Sequence, residues 1–155
     1  MKRLLFFAGA LSLFCVDTQR CASSPGALGA RQGIRGYVRR VEGNQMPSPD
    51  RPRSKPKGFP ATICVFPMVT SAEVVPGTRT SFYRAVRAPL IRSIRADSSG
   101  YFRISLDTGG YSLFLRIGNA YYAGLLDQFN HLCPVRVEPH RETYVELLYR
   151  GSALY

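Results

Sequence analysis

A chain of 155 residues is one domain's worth and long enough to bury a core, and 45% hydrophobic residues with 12% aromatics exclude a disordered polymer. Fourteen glycines, eleven prolines and no tryptophan are more loop punctuation than a helical protein tolerates. The formal charge of +11 points to an acidic partner or to a solvated basic surface.

The chain opens MKRLLFFAGALSLFC, with Lys2 and Arg3 ahead of an apolar run from Leu4 to Cys15. The run is shorter than the about 20 residues of a permanent span. It predicts an export signal, and residues 1–30 are assigned as signal peptide and linker. Small residues at Cys21–Ser24 and at Ala27–Ala30 both suit cleavage. Cys15 follows Phe14 and Cys21 follows Arg20, which weighs against a lipid anchor and for soluble export. Cleavage near Ala30 removes three cations (Lys2, Arg3, Arg20) and one anion (Asp17), taking the charge from +11 to +9. The remaining arginines are spread out, the pattern of a solvated face. An exported protein of this charge meets envelope proteins, glycans or other polyanions, and not nucleic acid.

Residues 33–41, GIRGYVRRV, alternate Ile34, Gly36 and Val38 against Arg35, Tyr37 and Arg39, and predict an opening strand whose glycines mark a bulge or close approach. Prolines at 47, 49, 52, 56 and 60, with Arg51, Arg53, Lys55 and Lys57 among them, predict a long exposed basic loop over 45–60. Residues 61–70 form a β-branched run broken by Pro67, a strand near an edge. Residues 71–88 mix turn signals and yield no element, whereas 89–97 read as a short strand.

In GYFRISLD, Phe102, Ile104 and Leu106 oppose Arg103 and Ser105; in GYSLFLRI, Tyr111, Leu113, Leu115 and Ile117 oppose Ser112 and Arg116. Side chains switch faces at each strand residue, so both runs predict half-buried strands. Asp97 and Gly100 supply the corner before the first, Asp97 by accepting backbone hydrogen bonds and Gly100 by taking a positive φ. Gly109 and Gly110 supply the next corner. Three strands so joined predict an antiparallel meander. NAYYAGLLDQ returns as strand or irregular chain, and CPVRVEPH and ETYVELLYRG close the chain as two strands. The expectation is an all-β fold over 33–150: a seven-stranded, Ig-like antiparallel sandwich without helices.

The string ADSSGYFRISLDTGGYSLFLR resembles the carboxypeptidase regulatory-like domain, a transthyretin-like (prealbumin-like) β-sandwich. The resemblance is carried by Asp97, Gly100 and Phe102, then by Gly110, Tyr111, Ser112 and Leu113, with Gly33, Gly36 and Val38 like that domain's first strand. A narrower likeness, through GNQMPSP, SFYRAV, GGYSLFL and YYAGLLDQFNHLCPVRV, is to small exported Bacteroidetes proteins that carry this domain alone. The resemblance implies the sandwich and export. It implies no peptidase activity, because the zinc domain of metallocarboxypeptidases is far larger than this chain and its His-x-x-Glu ligand pair is absent.

With the signal removed two cysteines remain, Cys64 and Cys133. Two readings stand: a disulfide closing a large loop, worth about 4 kcal/mol, or two separate buried thiols. A zinc set of these cysteines with His131 and His140 lacks any close paired spacing. Asp97, Asp107 and Asp127 suit turns, and Ser98, Ser99 and Ser112 have no nucleophile motif. No catalytic residue, metal or cofactor is therefore expected. Tyr121, Tyr122 and Phe129 are the candidate ligand aromatics, against a core role for most of them. The functional expectation is a non-catalytic structural or interaction module of the bacterial envelope, monomeric, at the periplasm, cell surface or outside. The alternative is a carbohydrate- or polyanion-binding module.

Overall fold

The computed structural model describes residues 31–44 and 55–154; the expected export signal and the 45–54 part of the proline-rich loop lie outside the described residues. Among these, eleven strands replace the expected seven: β1 Gly33–Asn44, β2 Lys57–Gly58, β3 Thr62–Pro67, β4 Val74–Pro76, β5 Phe82–Val86, β6 Arg92–Arg95, β7 Tyr101–Ser105, β8 Gly109–Ile117, β9 Ala120–Tyr122, β10 Pro134–Val137 and β11 Glu142–Leu154. A single 3₁₀ turn, Ser71–Glu73, is the other regular element. The first sheet runs β11-β1-β2, with β7 also on β1; the second runs β4-β5-β9-β8-β3-β6, with β10 on β8. The architecture is all-β in two sheets, as the alternation requires. Residues 71–88, unassigned from sequence, hold β4 and β5, and β2 lies inside the loop expected over 45–60.

The main core lies between the sheets. Ile34 and Val38 of β1, Phe102 and Ile104 of β7, and Leu147 and Tyr149 of β11 meet Ile63, Val65, Leu113 and Leu115 of the second sheet. Gly36 is needed here for space, since a Cβ on it would run into the Val145 backbone of β11.

Three expectations are corrected. The meander does not form: β6 pairs with β3 in the second sheet, β7 crosses to β1 in the first, and β8 returns to the second. Alternation fixes which way a strand's side chains point but not which sheet it joins. The sandwich is not wholly antiparallel, because β1 and β11 pair in parallel from Gly33↔Glu142 onward. No hairpin links these first and last strands, so the whole intervening chain serves as the long connection a parallel pair needs. Finally, Gly109 and Gly110 make no corner. They are the first residues of β8, paired with Val137 and Arg136, and the bend lies at 106–108, where the Tyr111 hydroxyl donates to the Asp107 carbonyl at 2.9 Å.

The Asp97 corner carries the chain between the sheets. Its Oδ1 accepts from Ser99 N (2.8 Å), Ser99 Oγ (2.6 Å) and Tyr101 N (2.9 Å). Gly100 sits at φ +83°, where a Cβ would strike the Val38 carbonyl oxygen, and its own carbonyl accepts from Val38 N at 2.8 Å. The corner is thereby locked against β1.

Strand β8 is buried on both faces from Tyr111 to Leu115, not on one. Phe114, on the face expected to be polar, packs with Cys64, Phe66, Val69, Val74, Ala123, Leu132 and Cys133 in a second apolar cluster outside the second sheet. The segment 69–74 and the 123–133 connection cover it. Ser112 is fully buried here because its Oγ accepts from Val69 N at 2.9 Å, which satisfies both groups.

Candidate functional site

The connection from β9 to β10 is a loop whose backbone is held at many points. Cys133 N donates to Leu125 O (2.9 Å), Asp127 N to His131 O (3.1 Å) and Asn130 N to Asp127 O (3.1 Å). Asp127 Oδ1 accepts from Phe129 N (2.9 Å) and His131 N (2.8 Å), and Oδ2 lies 2.9 Å from His131 Nδ1. Desolvation pushes the Asp127 carboxyl up, but the hydrogen bonds from His131 and Phe129 outweigh it and hold the group below its ordinary value. The loop docks on the preceding segment through Leu132 N to Val69 O and Ser71 N to Asn130 O, both 2.9 Å. On this fixed frame Leu125, Leu126 and Phe129 stand 62%, 50% and 66% exposed.

Beside the loop, an apolar cleft of about 170 Å³ opens between the two sheets, with Leu113 and Leu115 of β8, Leu125, Cys133 and Val135 on one side and Val145 to Leu148 of β11 on the other. It exists because β9 covers β8 only from Leu115 to Ile117 and β10 only from Gly109 to Ser112. Between them one edge of β8 is left to the loop. A second hollow adjoins the cleft and shares Tyr122, Gly124 and Arg150 with it; Arg79, Ser81 and Phe82 complete its wall. Arg79 Nη2 donates to Gly151 O (2.5 Å), and its guanidinium lies 5.0 Å from the Phe82 ring centre, so its charge is fixed in place.

The charges of this side divide sharply. Glu142 is held by Arg35 (3.7 Å) and Arg103, and Glu146 by Arg39 (2.5 Å). Among the described residues no carboxylate lies within ion-pair distance of Arg79 or Arg150. The cleft's own titratable groups are quiet: Glu146 is taken by Arg39, and burial raises the Cys133 thiol, which leaves little thiolate near neutral pH.

The candidate aromatics do not share a platform. Tyr122 is 5% exposed in the main core, where its hydroxyl accepts from Arg150 N at 3.1 Å. Tyr121 points the opposite way, onto Phe66 and Phe114 with ring centres 5.6 and 6.2 Å apart. Phe129 alone stands in solvent. Adjacent strand residues face opposite sides, which separates the two tyrosines. Cys64 and Cys133 are free thiols, both buried in the second cluster. Among the described residues no group of three or more His, Cys, Asp or Glu is placed to hold a metal, and no helix is long and apolar enough to cross a membrane. Sequence reasoning missed Leu125, Leu126, Arg79 and Arg150. The signal for the first two was an apolar pair set among Gly124, Asp127 and Asn130, turn residues that force a surface position.

No protein-family model, curated protein or solved structure matches the chain.

Proposed function

We propose that the chain is a non-catalytic interaction module, exported to the bacterial envelope as a prealbumin-like sandwich of the carboxypeptidase regulatory-like type, and that as a monomer it docks on an envelope protein through the Gly124–Cys133 loop. One observation carries this reading: a loop tied down by its own hydrogen bonds keeps Leu125, Leu126 and Phe129 more than half or fully half exposed. Burying such side chains against a partner is worth about 25 cal/mol per Å² of apolar surface, and a pre-formed loop loses little entropy on binding. The groups around the cleft, a paired carboxylate and a raised thiol, suit holding a partner better than proton transfer or nucleophilic attack.

The test is site-specific photo-crosslinking in the producing cell, with a photoreactive phenylalanine analogue at position 129 and, as control, at the exposed Ser98. A discrete adduct is expected from position 129, absent from position 98, and lost when Leu125 and Leu126 are both changed to Asp. No adduct, or one insensitive to the loop changes, contradicts the reading.

A second reading, a polyanion-binding module, is favoured by a cross-strand row on the outer face of the second sheet. There Arg95 pairs with Thr62, Thr62 with Arg116, Arg116 with Tyr121 and Tyr121 with Tyr83. The Arg116 guanidinium lies 5.3 Å from the Tyr121 ring centre. Under this reading retention on heparin survives physiological salt and falls with Arg95→Glu or Arg116→Glu; under the first, modest salt abolishes retention.

A further inference from the structure

Among the described residues, strand β11, 13 residues long, is the terminal strand of its sheet and pairs only with β1. Among the same residues, side-chain hydrogen bonds tie β11 to segments other than β1 and β7 at three points: Arg150 N to the Tyr122 hydroxyl (3.1 Å), Thr143 Oγ1 to Arg136 O (2.7 Å) and Arg79 Nη2 to Gly151 O (2.5 Å). A long open edge is a template for another strand, and folded proteins usually blunt or cover one. The apolar cleft runs beside this edge, and the adjoining hollow extends it toward Arg79 and Arg150. The cleft's apolar lining beside a strand edge suits side chains projecting from an added strand.

We infer that this edge takes an extended segment of a partner protein as an added strand, with apolar side chains in the cleft and carboxylates on Arg79 and Arg150. Charge selects the occupant. Glu146 of β11 is held on the outer face of the sheet by Arg39, whereas Arg79 and Arg150, which line the hollow adjoining the cleft, have no carboxylate within ion-pair distance among the described residues. A second copy is a poor occupant. It carries +9 of the same sign once the expected signal is removed, and the acidic residues its own β11 offers, Glu142 and Glu146, are held by arginines of β1 and β7. An acidic, apolar-alternating segment matches the apolar cleft and the two arginines. Main-chain hydrogen bonds give such a complex affinity, and the cleft and arginines give it selectivity. The inference rests on the interaction-module reading and names its partner class.

The test titrates the full chain with fluorescein-labelled ten-residue peptides of alternating Val and Thr. Two carry an Asp pair, at the N-terminal or the C-terminal end; two carry Lys at the same places; a fifth is the better Asp peptide N-methylated at alternate residues. One Asp peptide is expected to bind saturably at physiological salt, about tenfold or more tighter than its Lys counterpart, a gap of about 1.4 kcal/mol. R150E is expected to erase that preference and R79E with R150E to invert it; the single variant guards against loss of the Arg79 bond to Gly151. N-methylation is expected to abolish binding. The inference is overturned if no peptide binds, if both Asp peptides bind equally, if the variants keep the wild-type preference, if the N-methylated peptide binds unchanged, or if the chain sediments as a dimer. Should the peptides fail while crosslinks from position 129 persist, the module reading stands and the strand-addition reading falls.

Discussion

At the Asp97 corner a single carboxylate oxygen accepts from the Ser99 hydroxyl, the Ser99 amide and the Tyr101 amide. Led by the Ser99 hydroxyl, these donors stabilise the ionised form and hold the carboxyl below its ordinary value. A carboxylate depressed in the folded state adds stability above its unfolded pKa of about 3.9 and loses it as pH falls through the folded value. Asp97→Asn is therefore expected to lower Tm at neutral pH, with the gap to wild type closing below about pH 4. Thermal unfolding across pH checks this, and a gap unchanged in acid contradicts it. Gly100→Ala must enter the left-handed region and also displace the Val38 carbonyl. An expected loss of at least about 2 kcal/mol in denaturant unfolding follows. Ser112→Ala leaves Val69 N buried without its acceptor and is expected to cost about 1–3 kcal/mol, against a neutral result if that bond is incidental.

Among the elements, β8 shows how far periodicity reaches. The inward row of Tyr111, Leu113 and Leu115 was legible because the residues alternate with smaller or polar ones. Phe114 was not, because nothing local says that segments 69–74 and 123–133 fold over the outer face. The strand phases of β1, β7, β10 and β11 were legible for the same reason as β8's inner row. The sheet each joins was not, since the corners at Asp97 and at 106–108 look alike whether a chain turns within a sheet or crosses between two. Of the candidate site, Phe129 was legible as an exposed ring in a turn-rich stretch, but Arg79, between β4 and β5, and Arg150, in β11, meet only where the two sheets pack together. Phe114→Ala is expected to cost about 3–5 kcal/mol, as for a core aromatic, and less than about 1 kcal/mol if the second cluster is only a surface patch. The cluster also shields both thiols, whose pKa values burial raises. Cys64 and Cys133 are expected to resist a thiol reagent in the native protein and to react once it is denatured; fast native labelling contradicts their placement.

For the molecule as a whole, the parallel union of β1 and β11 closes the first sheet with the end of the chain and leaves β11 as its open edge. The same closure sets Arg150 beside Arg79 and the cleft beside the apolar loop, so among the described residues one side of the sandwich collects a strand edge without a partner strand, an apolar cleft and two arginines without an ion-pair carboxylate. On the outer face of the first sheet, Glu142 and Glu146 are by contrast held by Arg35, Arg103 and Arg39. Hydrogen–deuterium exchange of the full chain, with and without the Asp-tailed peptide, reads this asymmetry directly. The account predicts new protection confined to β11 and the 124–133 loop; protection on the Arg95–Thr62–Arg116 row instead, or none, contradicts it.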